Sequence, residues 1–111
     1  MITYEDFRKV DMRIGRVLEV EDFLEARKPS YKLKIDFGPG IGIKNSSAQI
    51  TAYKKEELTG KLVIAVVNFP PKQIANFVSE VLTLGVEDKN RKNSWFIIQP
   101  EREVELGTRI E

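Results

Sequence analysis

Apolar and polar positions alternate with a period of two over much of this chain, and only two short stretches change to helical spacing. In YKLKIDF, residues 31–37, Tyr31, Leu33, Ile35 and Phe37 fall on one side, with Lys32, Lys34 and Asp36 on the other. That pattern predicts a half-buried strand with a basic outer face. MRIGRVLEVEDF, residues 12–23, turns Met12, Ile14, Val17 and Val20 inward, and the step from Ile14 to Val17 breaks the period beside Gly15, predicting a bulge or bend there. GPGIGIKNSSAQI reads as a glycine-rich turn opening a third strand. KLVIAVVNF is almost wholly apolar and predicts a central strand buried on both faces. SEVLTLGV and SWFIIQP predict two more, the second stopped by Pro100, and EVELGTRIE has short-strand or turn character.

The helical stretches are short. TYEDFRKV starts with Thr3, places Asp6 three residues on in the manner of a capping box, and spaces Tyr4, Phe7 and Val10 for one face. AYKKEELTG predicts a second helix closed by Gly60. Five or six strands of uneven length, a helix between the third and fourth, and glycines at bends predict an all-β OB-fold five-stranded barrel with short flanking helices. A generic sandwich does not normally carry that mid-chain helix.

VVNFPPKQIANF, residues 66–77, begins as a buried strand, stops at Pro70-Pro71, and predicts a helical turn before the next strand. Two readings stand for it. Prolines end strands and Asn68 is a common turn residue, so the segment can simply redirect the chain. The same prolines also fix the backbone at low entropy, which holds Asn68, Lys72 and Gln73 ready for a ligand. Phe69 and Phe77 are either core residues or the apolar lining of an exposed groove.

A chain of 111 residues is one domain, 1–111, and 41% apolar with 32% charged residues places it among soluble globular proteins. No run approaches the roughly 20 apolar residues of a membrane span, so membrane insertion is not expected. MITYEDFRKV lacks the layout of a signal peptide, and with no cysteine to suggest an oxidising compartment, a cytoplasmic location is expected. The absence of both His and Cys removes the usual zinc sites, thiolate nucleophiles and imidazole bases, so neither an enzyme nor a metal or cofactor is expected.

Charge refines this picture. The net charge is only +1, but residues 26–75 hold 9 basic and 3 acidic groups, whereas 1–25 hold 4 and 7. Such an excess attracts polyanions or is simply a solvated face. EARKPSYKLKIDFG, residues 25–38, concentrates Arg27, Lys28, Lys32 and Lys34 around a tyrosine, which suits a nucleic-acid backbone or a strand edge guarded by lysines. GPGIGIK does not make a phosphate loop, because Ile43 stands where glycine must precede the lysine.

Four stretches in this order carry a resemblance: DFRKVDMRIGRVLEVEDFLEARKPSYKLKIDFG, GIKNSSAQIT, YKKEELTGK and VVNFPPKQIANFVSEVLTLG. The sequence resembles the CsaA proteins, within the wider tRNA-binding-domain family of OB folds, over nearly its whole length. That resemblance implies a barrel that binds tRNA by shape and backbone. From CsaA proteins it implies a homodimeric, export-related chaperone for unfolded or pre-secretory polypeptides, its dimer built by the 3–10 helix and the region after Gly85. The alternative it leaves is a structure-specific tRNA-binding protein that assists tRNA-dependent enzymes in trans.

Carried onto this chain, the family's tRNA-contacting elements imply Arg27, Lys28 and Lys32, then Ser46 and Ser47, then Asn68, Lys72 and Ser79, with Gln73 beside them. Phe69 and Phe77 are the residues expected to meet a polypeptide. The chain departs from the wider family after Ser79, reading Glu80-Val81-Leu82 where a glycine-methionine pair is usual, which points to the CsaA branch.

Overall fold

A computed structural model describes residues 1–111. Eleven short elements follow one another: α1 (Tyr4–Arg8), β1 (Met12–Asp22), β2 (Tyr31–Asp36), β3 (Ile43–Ala48), α2 (Lys55–Leu58), β4 (Leu62–Val66), β5 (Lys72–Ile74), β6 (Phe77–Ser79), β7 (Leu82–Thr83), β8 (Gly85–Glu87) and β9 (Trp95–Ile97). Five of them form an antiparallel sheet in the order β3-β2-β1-β4-β7, while β5-β6 and β8-β9 are separate hairpins. The expected OB-type barrel is present, with α2 entering between its third and fourth strands.

The core follows from the alternation. Tyr31, Leu33, Ile35 and Phe37 are all buried, and they pack with Val17, Ile50, Leu58, Val63, Ala65 and Val81. Leu58 is the one fully buried residue of α2 and ties that helix to the barrel, a burial worth about 1.5–3 kcal/mol. Thr3 and Asp6 exchange the two hydrogen bonds of a capping box at α1, as their spacing predicts. Hydrogen bonding to the Thr3 backbone holds the Asp6 carboxyl below its ordinary value.

The strand irregularity lies three residues beyond the expected place. The pairing of β1 with β2 shifts between Val17 and Glu19, so Leu18 is the extra residue and both Val17 and Val20 turn toward the core. Gly15 serves packing instead. A Cβ there would stand 2.5 Å from Ile35 Cγ2 and 2.7 Å from Phe37 Cε1, so the position is held open for the Phe37 ring. Ile14 is buried outside the core cluster, where its backbone pairs with the C-terminal tail through Thr108 and Gly107.

Two further expectations change. The segment after the prolines is not a helical turn but the β5-β6 hairpin, reversed at Ala75 with φ of 51°. The stretch 79–86 is not one strand. β7 pairs with β4, and after Leu84 the chain leaves the barrel to pair β8 with β9.

The last barrel seam, between β3 and the β6-β7 region, is made differently from the others. Asn45 O accepts Glu80 N–H at 2.8 Å, but the Asn45 N–H goes to the Glu80 carboxylate at 2.9 Å and the Ser47 N–H to Ser79 Oγ at 3.2 Å. Side chains therefore stand in for a backbone ladder where the barrel closes.

Candidate nucleic-acid interface

The loop joining β1 to β2 and the long connection joining β4 to β7 rise on the same side of the barrel. In OB folds these two loops and the face of the second and third strands surround the ligand. Between them lies an open groove of about 680 Å³, within the usual range for ligand sites.

The first wall is the 23–30 loop. Phe23 and Ser30 are buried, Phe23 N–H donates to Ser30 O, and Ser30 Oγ donates to Lys28 O at 2.9 Å. These anchors close the loop from below and leave Arg27 and Lys28 exposed on its crest. The opposite wall is the β5-β6 hairpin, where Lys72 sits across from Ser79 and Gln73 from Val78. Ser79 links the hairpin to β3 by accepting the Ser47 N–H, and Ser47 sits across from Lys32 on β2. A polar row thus runs Lys72, Ser79, Ser47, Lys32 across the surface.

Arg27, Lys28, Ser47, Lys72, Gln73 and Ser79 all line the groove. Lys32 borders an adjoining depression of about 190 Å³ with Phe77, its ammonium 5.5 Å from the Phe23 ring and 5.9 Å from the Phe77 ring. Phe77 is half-buried and meets Phe23 edge to face, with centroids 5.4 Å apart. The other expected residues lie elsewhere. Ser46 is fully buried, bonded through Oγ to Val81 O and Thr83 Oγ1, because alternation on β3 sends it inward and Ser47 outward. Asn68 accepts the Asp11 N–H and donates to Lys9 O, fastening the end of α1 beside β4. Phe69 is 53% exposed beyond the end of β4 and outside both depressions.

The electrostatics of the rim are distinctive. Lys9, Arg13, Arg16, Lys34, Lys55, Arg102 and Arg109 each pair with a carboxylate, whereas Arg27, Lys28, Lys32 and Lys72 have none within 4.0 Å. Glu80, the acidic residue nearest the hairpin in sequence, spends its carboxylate on the Asn45 amide in the seam. The groove therefore presents free cations and neutral hydrogen-bonding groups above a partly apolar floor of Ile50, Ile74 and Leu84. It can hold phosphates at its rim and something flat and less polar within.

Gln49 and Trp95 also line the groove and were not singled out from the sequence. The Trp95 N–H donates to Gln49 O at 3.0 Å, so the β8-β9 hairpin is brought against the end of β3. A lone tryptophan at the start of a strand was the available signal, but its partner is 46 residues away in the chain.

The model of the family described as "Putative tRNA binding domain" matches residues 12–109. The chain belongs to the tRNA-binding domain family. It is similar over 100% of its length to the CsaA chaperone protein of Picrophilus torridus, at 58% identity and a TM-score of 0.91, covering 100% of that chain. The chaperone CsaA of Bacillus anthracis str. Ames matches 100% of this chain and 99% of its own, at 48% identity and a TM-score of 0.91. The methionine–tRNA ligase of Archaeoglobus fulgidus is 37% identical over 98% of this chain. The chain spans only 14–16% of the length of such ligases. The resemblance to CsaA within a tRNA-binding family thus holds, and the family is defined by binding, not by catalysis.

Proposed function

We propose that this protein binds tRNA through the groove between the 23–30 loop and the β5-β6 hairpin, recognising the folded RNA by its phosphates. The carrying observation is the set of unpaired cations at the rim, Arg27, Lys28 and Lys72, with Lys32 continuing the row. Cations without carboxylate partners release bound counterions to a polyanion without first breaking an ion pair. Ser47, Gln73 and Ser79 supply neutral contacts, and no group in the arrangement is placed for covalent chemistry. Asn68 acts indirectly by fixing the start of the connection that carries the hairpin, and Ser46 by holding the β3 seam.

The likeness to two structures named as CsaA chaperones supports a second activity of the same protein. It is a cytoplasmic homodimer that also takes unfolded or pre-secretory polypeptides during export, using the exposed Phe69 and the half-buried Phe77 as apolar contacts. Two grooves in one dimer raise the affinity for one large RNA through avidity.

The test is a titration of labelled bulk tRNA at several salt concentrations, with an unfolded pre-secretory polypeptide as competitor. The expected affinity falls steeply with salt, and Lys28→Ala and Lys72→Ala each flatten the logarithmic slope by about 0.9 for a duplex phosphate lost. Slopes unchanged in both variants would sink the phosphate groove. Polypeptide binding is expected to vary little with salt and to weaken in Phe69→Ala, with light scattering reporting a particle of about twice the chain mass.

A further inference from the structure

The rim explains phosphate binding, but it leaves the inner end of the groove without a task. There the floor turns apolar, with Ile50, Ile74 and Leu84 beneath and the half-buried Trp95 at one side. Gln49 projects into this setting, and its Oε1 is buried without a hydrogen-bond partner. A buried amide oxygen left unpaired is unfavourable, and few are retained in folded proteins without a reason. The neighbouring polar residues do not relieve it: Ser79 is committed to Ser47 and Val81, and Gln73 Nε2 donates to Ala75 O.

Trp95 is held firmly in place. Its backbone is tied to Gln49, and β8 approaches closely because Gly85 has no Cβ, which would lie 2.7 Å from Phe96 O. The site therefore combines an aromatic wall, an aliphatic floor and one carboxamide, with cations only at its mouth. A phosphate does not suit that interior, since nothing there carries positive charge. A flat heterocycle with an exocyclic amino group does.

We propose that the inner end of the groove receives one unpaired adenine of the bound RNA, packed beside Trp95 and hydrogen-bonded through its 6-amino group to Gln49 Oε1. The carboxamide sets an acceptor beside a donor, which matches the adjacent amino group and ring nitrogen of adenine. The phosphate of the same nucleotide reaches the rim at Lys28 and Lys72, and stacking on an aromatic side chain rewards an unpaired base over a paired one. This inference rests on the RNA-binding reading of the groove and adds a base-reading position to it.

Trp95 is the only tryptophan of the chain, so its fluorescence reports directly on the pocket. The probes are three RNA hairpins identical in their duplex: one blunt, one with a single unpaired 3′ adenosine, and one ending in purine riboside, which lacks the 6-amino group. The adenosine hairpin is expected to quench Trp95 and to bind about tenfold more tightly than the purine riboside hairpin, because the analogue leaves Gln49 unpaired. Gln49→Leu is expected to bring those two affinities to within about twofold of each other. Its thermal melt is recorded alongside, and the comparison among the three hairpins on the unsubstituted protein needs no variant. Equal binding of all three hairpins overturns the base pocket while leaving the phosphate groove standing. Adenosine preference that persists in a folded Gln49→Leu variant overturns the role of Gln49. No binding of any hairpin at low salt overturns the groove and the pocket together.

Discussion

The cations of this protein fall into two populations that sequence alone places side by side. On β2, Lys34 reaches Glu19 at 3.7 Å, and near α2, Lys55 donates to Asp22 at 2.8 Å. Two residues before Lys34, Lys32 instead lies over the Phe23 and Phe77 rings, and Arg27, Lys28 and Lys72 stand free around the groove. The first population neutralises the wall of the barrel, where exposed pairs add little to stability. The second leaves a local positive field at one mouth only. A composition of 18 basic against 17 acidic residues is thus compatible with a polyanion site, because the pairing is uneven in space.

Charge reversal should separate the two populations most sharply. Lys28→Glu with Lys72→Glu is expected to lower tRNA affinity by about 100-fold or more at low salt. Lys34→Glu, made on the paired wall, should change it by no more than about twofold. Equal losses from both would show that only net charge matters, and filter binding distinguishes the cases.

A smaller contrast is expected between the neighbouring serines of β3. Ser46→Ala removes two buried hydrogen bonds and should lower unfolding stability by about 1–2 kcal/mol, read from the denaturant midpoint. Ser47→Ala lies on the outer face and should stay within about 0.5 kcal/mol while weakening tRNA binding a few-fold.

The smallest effect concerns pH. The hydrogen bond from Asp22 raises the Lys55 ammonium above its ordinary 10.5. Its stabilising contribution is therefore full below pH 10.5 and is lost as pH rises through the higher folded value. Lys55→Met and the parent protein should converge in melting temperature across that alkaline window and differ most below it.

Much of the fold was legible from the chain because alternation is a local signal. The 31–37 strand, the capping box at Thr3 and Asp6, and the helix closed by Gly60 each follow from a few adjacent residues. What was not legible depended on partners distant in sequence. Gly15 is a glycine on account of Phe37, not of its own strand, so the bulge was placed beside it when the extra residue is Leu18. The hairpin at 72–79 reverses at Ala75, a residue that gives no turn signal, and IANF can be read as a helical turn. In the site, resemblance and charge together picked out the rim, where Arg27, Lys28, Lys72, Gln73, Ser47 and Ser79 converge. Neither signal reveals Gln49 and Trp95, which meet only when the β8-β9 hairpin folds back. The pair Ser46-Ser47 shows the limit most plainly, since a motif names both while the pleat can expose only one.

The closure of the barrel has a consequence for how such domains diversify. Backbone ladders are indifferent to side-chain identity, so a seam built from them tolerates change without altering shape. Here the last seam runs through the Ser79 hydroxyl and the Glu80 carboxylate, and the β5-β6 hairpin hangs from it. Substitution at either position therefore resets where one wall of the groove stands while β1, β2 and β4 keep their register. The choice of ligand becomes adjustable by two residues that never need to touch it.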